Sequence, residues 1–394
     1  MKNQLWLFSA ALLIFYSCSQ KEESLSEKSL SEKPLSEQQF EFEIYDSLVV
    51  DYLGNLYLAD ISKDGKTFLL ANDKTDSIFL ANSSGEIISK FKRSGEGPGD
   101  YRLSRVNPPQ FLNDSEIIIA AWKGFYCYSF LGEFTRSFEL EYLPTSSLID
   151  QYNNKMAILD NKVIYPWEGR NADSIGVQGK KFQVQTKRVE VLDFQNGAFT
   201  PAMPFPDQSK FKTDQKSFFN FYYNTRLAGL QDSVYVIFRN EPKLFVYHIN
   251  QLNKPASVSE IPFKEFIERT PKDTDEEVGY EMRDLYSGSI NQLIPLKNGQ
   301  FLIFYTRGLN EDEFNQLSSS SGGMNEKFFT EMEKINTYGW ILFDGKSISN
   351  LIEKKPEIGN LGKFISREEI WFSTDYYEME KDYVVLYKTR LVSK

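Results

Sequence analysis

Two tryptophans, several arginines and a scatter of carboxylates occupy equivalent places in this chain, each just past a short apolar run. Asp73 follows residues 67–71, Trp122 and Lys123 follow 116–121, and Trp167 and Arg170 follow 163–166. Arg239 and Glu241 follow 234–238, Arg307 follows 301–305, and Asp375 follows 370–373. Aromatic rings offer flat stacking area and guanidinium groups a planar two-pronged fork, so the set suits a sugar, a peptide or a carboxylate. Trp122, Trp167, Arg170, Arg239, Glu241, Arg307, Asp375 and Asp73, joined by Arg93 from a neighbouring loop, are therefore the expected ligand-binding residues. Singly, each is an ordinary solvated tip; the case rests on their recurrence.

Catalysis is harder to assemble. His248 is the sole histidine, which rules out a His-based triad and a multi-histidine metal centre. It alternates within residues 244–248 and reads as a half-exposed strand position. Cys127 lies in Phe125-Tyr126-Cys127-Tyr128 and reads as a small packing residue. No catalytic residue is assigned, and the balance favours binding over turnover. The segment Arg93-Ser94-Gly95-Glu96-Gly97-Pro98-Gly99-Asp100-Tyr101 spaces its glycines so that backbone N–H groups can line an anion-binding concavity. It has no Lys-Ser/Thr and no strand-to-helix context, so it is not a P-loop. Its plainer reading is a turn between repeats.

The elements that must position these residues recur six times: a turn, an apolar β run, a polar tip. The turns are at residues 62–65, 112–115, 160–162, 230–233, 296–299 and 366–369. A period of about 45–70 residues with about four strands per unit is the signature of propeller blades. The aromatic content, 15% with 32 Phe and 22 Tyr, suits pleated, half-buried strands. Tight turns such as Ser83-Ser84-Gly85-Glu86, Leu131-Gly132-Glu133, Gln195-Asn196-Gly197 and Asp344-Gly345-Lys346 supply the positive φ that hairpins need. The sixth unit stops at Lys394 without room for its fourth strand, while residues 40–49 form a β-like stretch with no blade of its own. The expected fold is all-β, a six-bladed propeller whose last blade is closed by the N-terminal strand, which also removes an open edge. A seventh blade would have to hide in residues 204–224 or 262–288, which lack the β pattern for it.

In an up-and-down meander the first–second and third–fourth strand turns share one end, and the remaining connections share the other. The long segments, 93–105, 167–181, 204–224, 262–288 and 307–337, all fall in the second group, on the end that also carries the tips. Helix is expected at 263–269 and at 325–335, where Phe328, Phe329 and Met332 form an apolar side. Long loops gathered on one face of a repeat protein mark its binding face.

The N-terminus reads as an address. Residues 5–15 form an apolar stretch of signal-peptide length, ending Phe15-Tyr16-Ser17-Cys18. A small residue before a cysteine at that point resembles the bacterial lipoprotein signal, in its looser Bacteroidota form since Phe15 and Tyr16 are bulky. The resemblance implies cleavage after residue 17 and lipidation of Cys18. Residues 18–38 carry an imperfect Leu-Ser-Glu-Lys repeat without aromatics and read as a flexible tether, leaving 39–394 for the propeller. The Lys21-Glu22-Glu23 run resembles the acidic signal that sends Bacteroidota lipoproteins to the cell surface; the alternative is the periplasmic leaflet of the outer membrane. The Gly-Glu-Gly-Pro-Gly segment with its following Asp100 and Tyr101 resembles one found in six-bladed propeller lipoproteins of that phylum.

The net charge is -10 and dispersed, which argues against nucleic acid. The expected protein is thus a membrane-anchored envelope propeller that binds a small molecule, glycan, peptide or protein on its long-loop face. Two alternatives stand beside it. Six-bladed lactonase-like propellers hold a metal in the channel, which would make this a calcium-dependent hydrolase with Asp73, Glu168 and Asp375 as candidate ligands. The other is an accessory subunit of an outer-membrane complex.

Overall fold

Alternation explains why the second strand of each unit is so uniformly apolar. In Thr67–Asn72, Phe68 and Leu70 turn to one side of their sheet and Leu69 to the other, and all three are buried. In Glu116–Ala121, Ile118 and Ala120 pack on one neighbour while Ile117, Ile119 and Ala121 pack on the other. In Phe301–Thr306, Leu302 faces one way and Phe301, Ile303 and Tyr305 the other. A strand covered on both faces reads as a continuous run rather than an alternating one. Outer strands lack one cover and show it: Ile87–Phe91 alternates half-buried with exposed residues.

The computed structural model describes residues 34–394, apart from 73, 146–154, 214, 273–278 and 280. Six antiparallel sheets form the ring. Numbering strands a to d outward from the axis, blade I is Tyr57–Ile61, Thr67–Asn72, Ser77–Asn82 and Ile87–Phe91. Blade II is Gln110–Phe111, Glu116–Ala121, Gly124–Ser129 and Phe134–Glu139. Blade III is Ala157–Leu159, Lys162–Tyr165, Val189–Asp193 and Ala198–Ala202. Blade IV is Thr225–Leu230, Ser233–Phe238, Lys243–His248 and Ser257–Glu260. Blade V is Ser289–Pro295, Phe301–Thr306 and Tyr338–Phe343. Blade VI is Ile358–Ser366, Glu369–Thr374 and Val384–Ser393, with Phe40–Val50 as its fourth strand. Six apolar clusters fill the six gaps between neighbouring blades. The core is therefore a ring of contacts rather than one central mass.

The N-terminal clasp forms as expected. Phe40–Val50 runs antiparallel to Val384–Ser393, from Phe40 opposite Ser393 to Val50 opposite Val384. Phe42 is fully buried, its ring edge-on to Phe372 at 5.1 Å. Blade V departs from expectation, because its fourth strand is only sketched. Single bridges join Phe343 to Ile348 and Trp340 to Ile352, and the Ser349 hydroxyl accepts the Leu342 N–H at 3.0 Å where a ladder carbonyl would sit. Helix at 263–269 is also absent. That stretch lies extended over blades IV and V, the Ile267 N–H donating to the Arg307 carbonyl at 2.8 Å and the Gly288 N–H to the Ile267 carbonyl at 2.9 Å. Glu326–Ile335 is helical as expected, capped by the Asn325 side chain, and is preceded by a helix at Glu311–Ser321.

Two ends of the ring differ. The long connections gather where strand b ends, and they touch there: Arg105 of the I–II connection pairs with Asp76 at the b–c turn of blade I. The other end carries the short a–b turns. The chain enters the propeller at that short-turn end. Leu35 and Phe40 pack with Leu296 of the blade V turn, and the Arg367 guanidinium, on the blade VI turn, lies 5.7 Å over the Phe40 ring.

Candidate functional site

The loop-end tips are fastened rather than free. Trp167 is 1% exposed, its ring 4.5 Å from Phe125 and 5.0 Å from Tyr165, so it packs between blades II and III instead of facing a ligand. Trp122 is half-buried against the same cluster. Arg170 grips Glu190 with both prongs, Nε at 2.8 Å and Nη2 at 2.7 Å, while the Tyr142 hydroxyl donates to that carboxylate at 2.9 Å. Arg239 is buried with its guanidinium 4.2 Å over Phe221. Glu241 accepts the Ser209 hydroxyl at 2.7 Å and the Lys210 N–H at 2.8 Å, and burial pushes its carboxyl above the usual range. Arg307 binds Glu313 at 2.8 and 3.0 Å and also Glu265. Asp375 pairs with Lys354 and accepts the Tyr377 N–H at 3.0 Å. Arg93 donates to the Gly132 carbonyl at 2.7 Å. Asp73 and Cys18 lie outside the described residues.

What these contacts share is a physical purpose. A long loop loses much backbone entropy when it is ordered, and a charge-assisted bond at its root offsets part of that cost. The deepest fastener joins Arg188, fully buried, to Glu168 at 3.2 Å, with the guanidinium 4.3 Å over Phe205. Burial raises the Glu168 carboxyl to about 7 against the pull of Arg188. Glu168 and Asp375, the candidate calcium ligands, are thus each held by a cation. Among the described residues no group of three His, Cys, Asp or Glu is arranged to hold a metal ion.

The glycine motif has a similar answer. The Tyr101 N–H donates to the Arg93 carbonyl at 2.8 Å, closing a loop, and the Asp100 carboxylate turns into the concavity and accepts the Gly97 N–H at 3.2 Å. A Cβ on Gly95 or Gly97 would come within 2.7 Å of that carboxylate oxygen. The anion in this nest is the chain's own Asp100. Tyr101, fully buried, donates to Asp76 at 2.9 Å and ties the loop to blade I. Cys127 is buried and its thiol pushed up to about 12 by burial, and His248 is exposed beside Asp232 at 3.1 Å. Neither is set up for chemistry.

The ligand-sized space lies elsewhere. A cavity of about 390 Å³ occupies the central channel and is lined by the innermost stretch of all six blades. Its polar residues are Asp60, Gln110, Lys155, Arg226, Gln292 and Lys363, one from each blade. They lie on or just before the first strand of each blade, with Lys155 and Arg226 on the loop side of their strands and Asp60 and Gln110 beside the short turns, so the cavity runs along the axis of the ring. Lys155 reaches across from blade III and donates to the Ala59 carbonyl of blade I at 2.8 Å and to the Gly362 carbonyl of blade VI. Lys363 donates to Asp60 at 2.6 Å, and Asp60 also accepts the Phe111 N–H of blade II at 3.1 Å. Gln110 holds the Met156 backbone from both sides, accepting its N–H at 2.6 Å and donating to its carbonyl at 3.2 Å, which fixes the stretch that carries Lys155. Burial lowers the Lys155 ammonium to about 8, with Asp60 opposing the shift and Lys363 reinforcing it.

None of these six residues stood out in the sequence. The signal that points to them is positional: a first strand must border the axis, so a polar residue inside one, such as Asp60 in Tyr57–Ile61, is a channel candidate.

The architecture defines a six-bladed β-propeller. Among solved structures, the chain resembles a DUF4221 family member from Bacteroides vulgatus at 14% identity and a TM-score of 0.60, with 90% of this chain and 99% of that one covered. It also resembles a candidate exported protein from Bacteroides fragilis at 12% identity and a TM-score of 0.50, covering 92% and 97%. These likenesses carry the fold. No protein-family model and no curated protein matches the chain.

Proposed function

We propose that this protein is a lipid-anchored binding propeller of the cell envelope, tethered through Cys18 and presenting its long-loop end to a macromolecular partner. The observation that carries the reading is the polarity of the ring: the chain enters at the short-turn end, pinned by Leu35 and Phe40, while the long connections gather at the opposite end. A flexible tether of about 17 residues, as expected between Cys18 and the described chain, would have a mean reach of about 23 Å by the square-root scaling of flexible chains. That biases the short-turn end toward a membrane and leaves the loop end outward. The leader-like residues 1–17 agree, as does the likeness to a candidate exported protein. A partner of protein size fits better than a small ligand at this end, because the charged tips are already occupied by loop contacts.

The test is photo-cross-linking in whole cells. Probes at exposed Phe329 and Tyr377 on the loop end are compared with probes at exposed Lys63 and Asn298 on the short turns. Discrete adducts from the first pair alone, together with fatty-acid labelling that Cys18→Ala abolishes, are the expected result. Adducts from the short-turn pair alone would reverse the orientation.

A further inference from the structure

We infer that the central channel is a binding site for a small organic anion, a carboxylate with a short apolar body. The inference goes beyond the partner-binding reading, concerns the central channel rather than the long loops and does not depend on it.

Charge balance is the first argument. Among the described residues, two lysines, Lys155 and Lys363, line the cavity with a single carboxylate, Asp60. Asp60 is committed to Lys363. Lys155 forms no ion pair among the described residues; its recorded partners are two neutral backbone carbonyls, which use two of its three N–H donors. A buried cation whose hydrogen bonds go to neutral acceptors has its desolvation only partly offset by the nearby Asp60 charge, and an anion entering the cavity would offset more of it.

Size and lining are the second. About 390 Å³ falls within the range of small-molecule sites, toward its lower end, and rules out a polymer. Leu227, Leu293, Ile294 and Phe364 share the wall with the polar groups, so an aliphatic body attached to the charge has apolar surface to cover. The site is also rigid. Lys155 bridges blades I, III and VI, and Gln110 clamps the backbone beside it, so the donors are positioned before a ligand arrives.

The groups that set the titration of Lys155 are Asp60 from blade I and Lys363 from blade VI, with Arg226 lining the same cavity from blade IV; Gln110 and Gln292 are uncharged. With an ammonium that titrates at about 8, raising the pH from 7 to 9 removes most of its charge, and anion affinity should fall about tenfold.

The experiment is calorimetric titration of the purified protein with acetate, succinate and citrate, with inorganic phosphate alongside. The expected result is saturable binding of at least one carboxylate, about tenfold weaker at pH 9 than at pH 7. Lys155→Met should weaken it at least tenfold, and Lys363→Met, on a less buried side chain, should weaken it too. Asp60→Asn should tighten it by freeing Lys363, a gain that mere damage to the fold would not produce. Absence of saturable carboxylate binding would overturn the inference. So would preference for phosphate over every carboxylate, affinity that rises with pH, or affinity unchanged in both lysine variants.

Discussion

The loop end and the channel of this propeller treat charge in opposite ways. At the loop end cations and carboxylates meet as matched pairs: Arg170 with Glu190, Arg188 with Glu168, Arg307 with Glu313, Lys354 with Asp375. In the channel, among the described residues, Lys155 and Lys363 share one carboxylate, and Lys155 rests on carbonyl oxygens. The first arrangement is closed and structural; the second is open to an added negative charge. Conspicuous residues at loop tips can thus be fasteners, while binding chemistry sits on quiet inner strands.

The contrast breaks most readily at the deepest fasteners. Trp167→Ala should cost about 3–5 kcal/mol of stability, the usual range for emptying a buried aromatic site, and should leave channel binding intact; denaturant unfolding and one titration check both. Glu168→Gln, which fixes the neutral form that burial favours over the pull of Arg188, should change stability little at pH 4.5 and below, and raise it above pH 7.

A pH series sharpens the same point. Glu168 titrates near 7 when folded and near 4.5 when unfolded, so the folded state holds the proton more tightly. Its contribution is full below pH 4.5 and is lost as the pH rises to 7, by about 3 kcal/mol at 1.36 kcal/mol for each pKa unit. Subtracting the profile of Glu168→Gln from that of the unmodified protein should expose this fall. A flat difference would mean that Glu168 is not desolvated as described. The smaller effect belongs to the partly buried pairs: Arg170→Ala and Arg307→Ala should each lower stability by about 1–3 kcal/mol, seen as a shift in the unfolding midpoint.

The ring was legible in the sequence because closure and repetition leave strong traces. Turn residues recur, b strands read as unbroken apolar runs, and the orphan stretch before residue 50 matches the missing strand of blade VI. The matched pairs were not legible, since a tip arginine looks the same whether it meets solvent, a ligand or a glutamate on a strand 20 residues away, as Arg170 meets Glu190. The channel escaped for a related reason. Its six polar residues come one to a blade, and only closure of the ring brings Asp60, Lys155 and Lys363 together. At 263–269 a helix-like pattern yielded to extended backbone because its N–H and carbonyl groups find partners at Arg307 and Gly288.

One comparison tests the division of labour most directly: the unfolding midpoint and the succinate affinity of the Arg170→Ala, Arg307→Ala double variant, set against those of Lys155→Met. The account predicts that the tip variant loses stability and keeps its affinity, while the channel variant loses its affinity. A tip variant that unfolds like the unmodified protein yet no longer binds would contradict it.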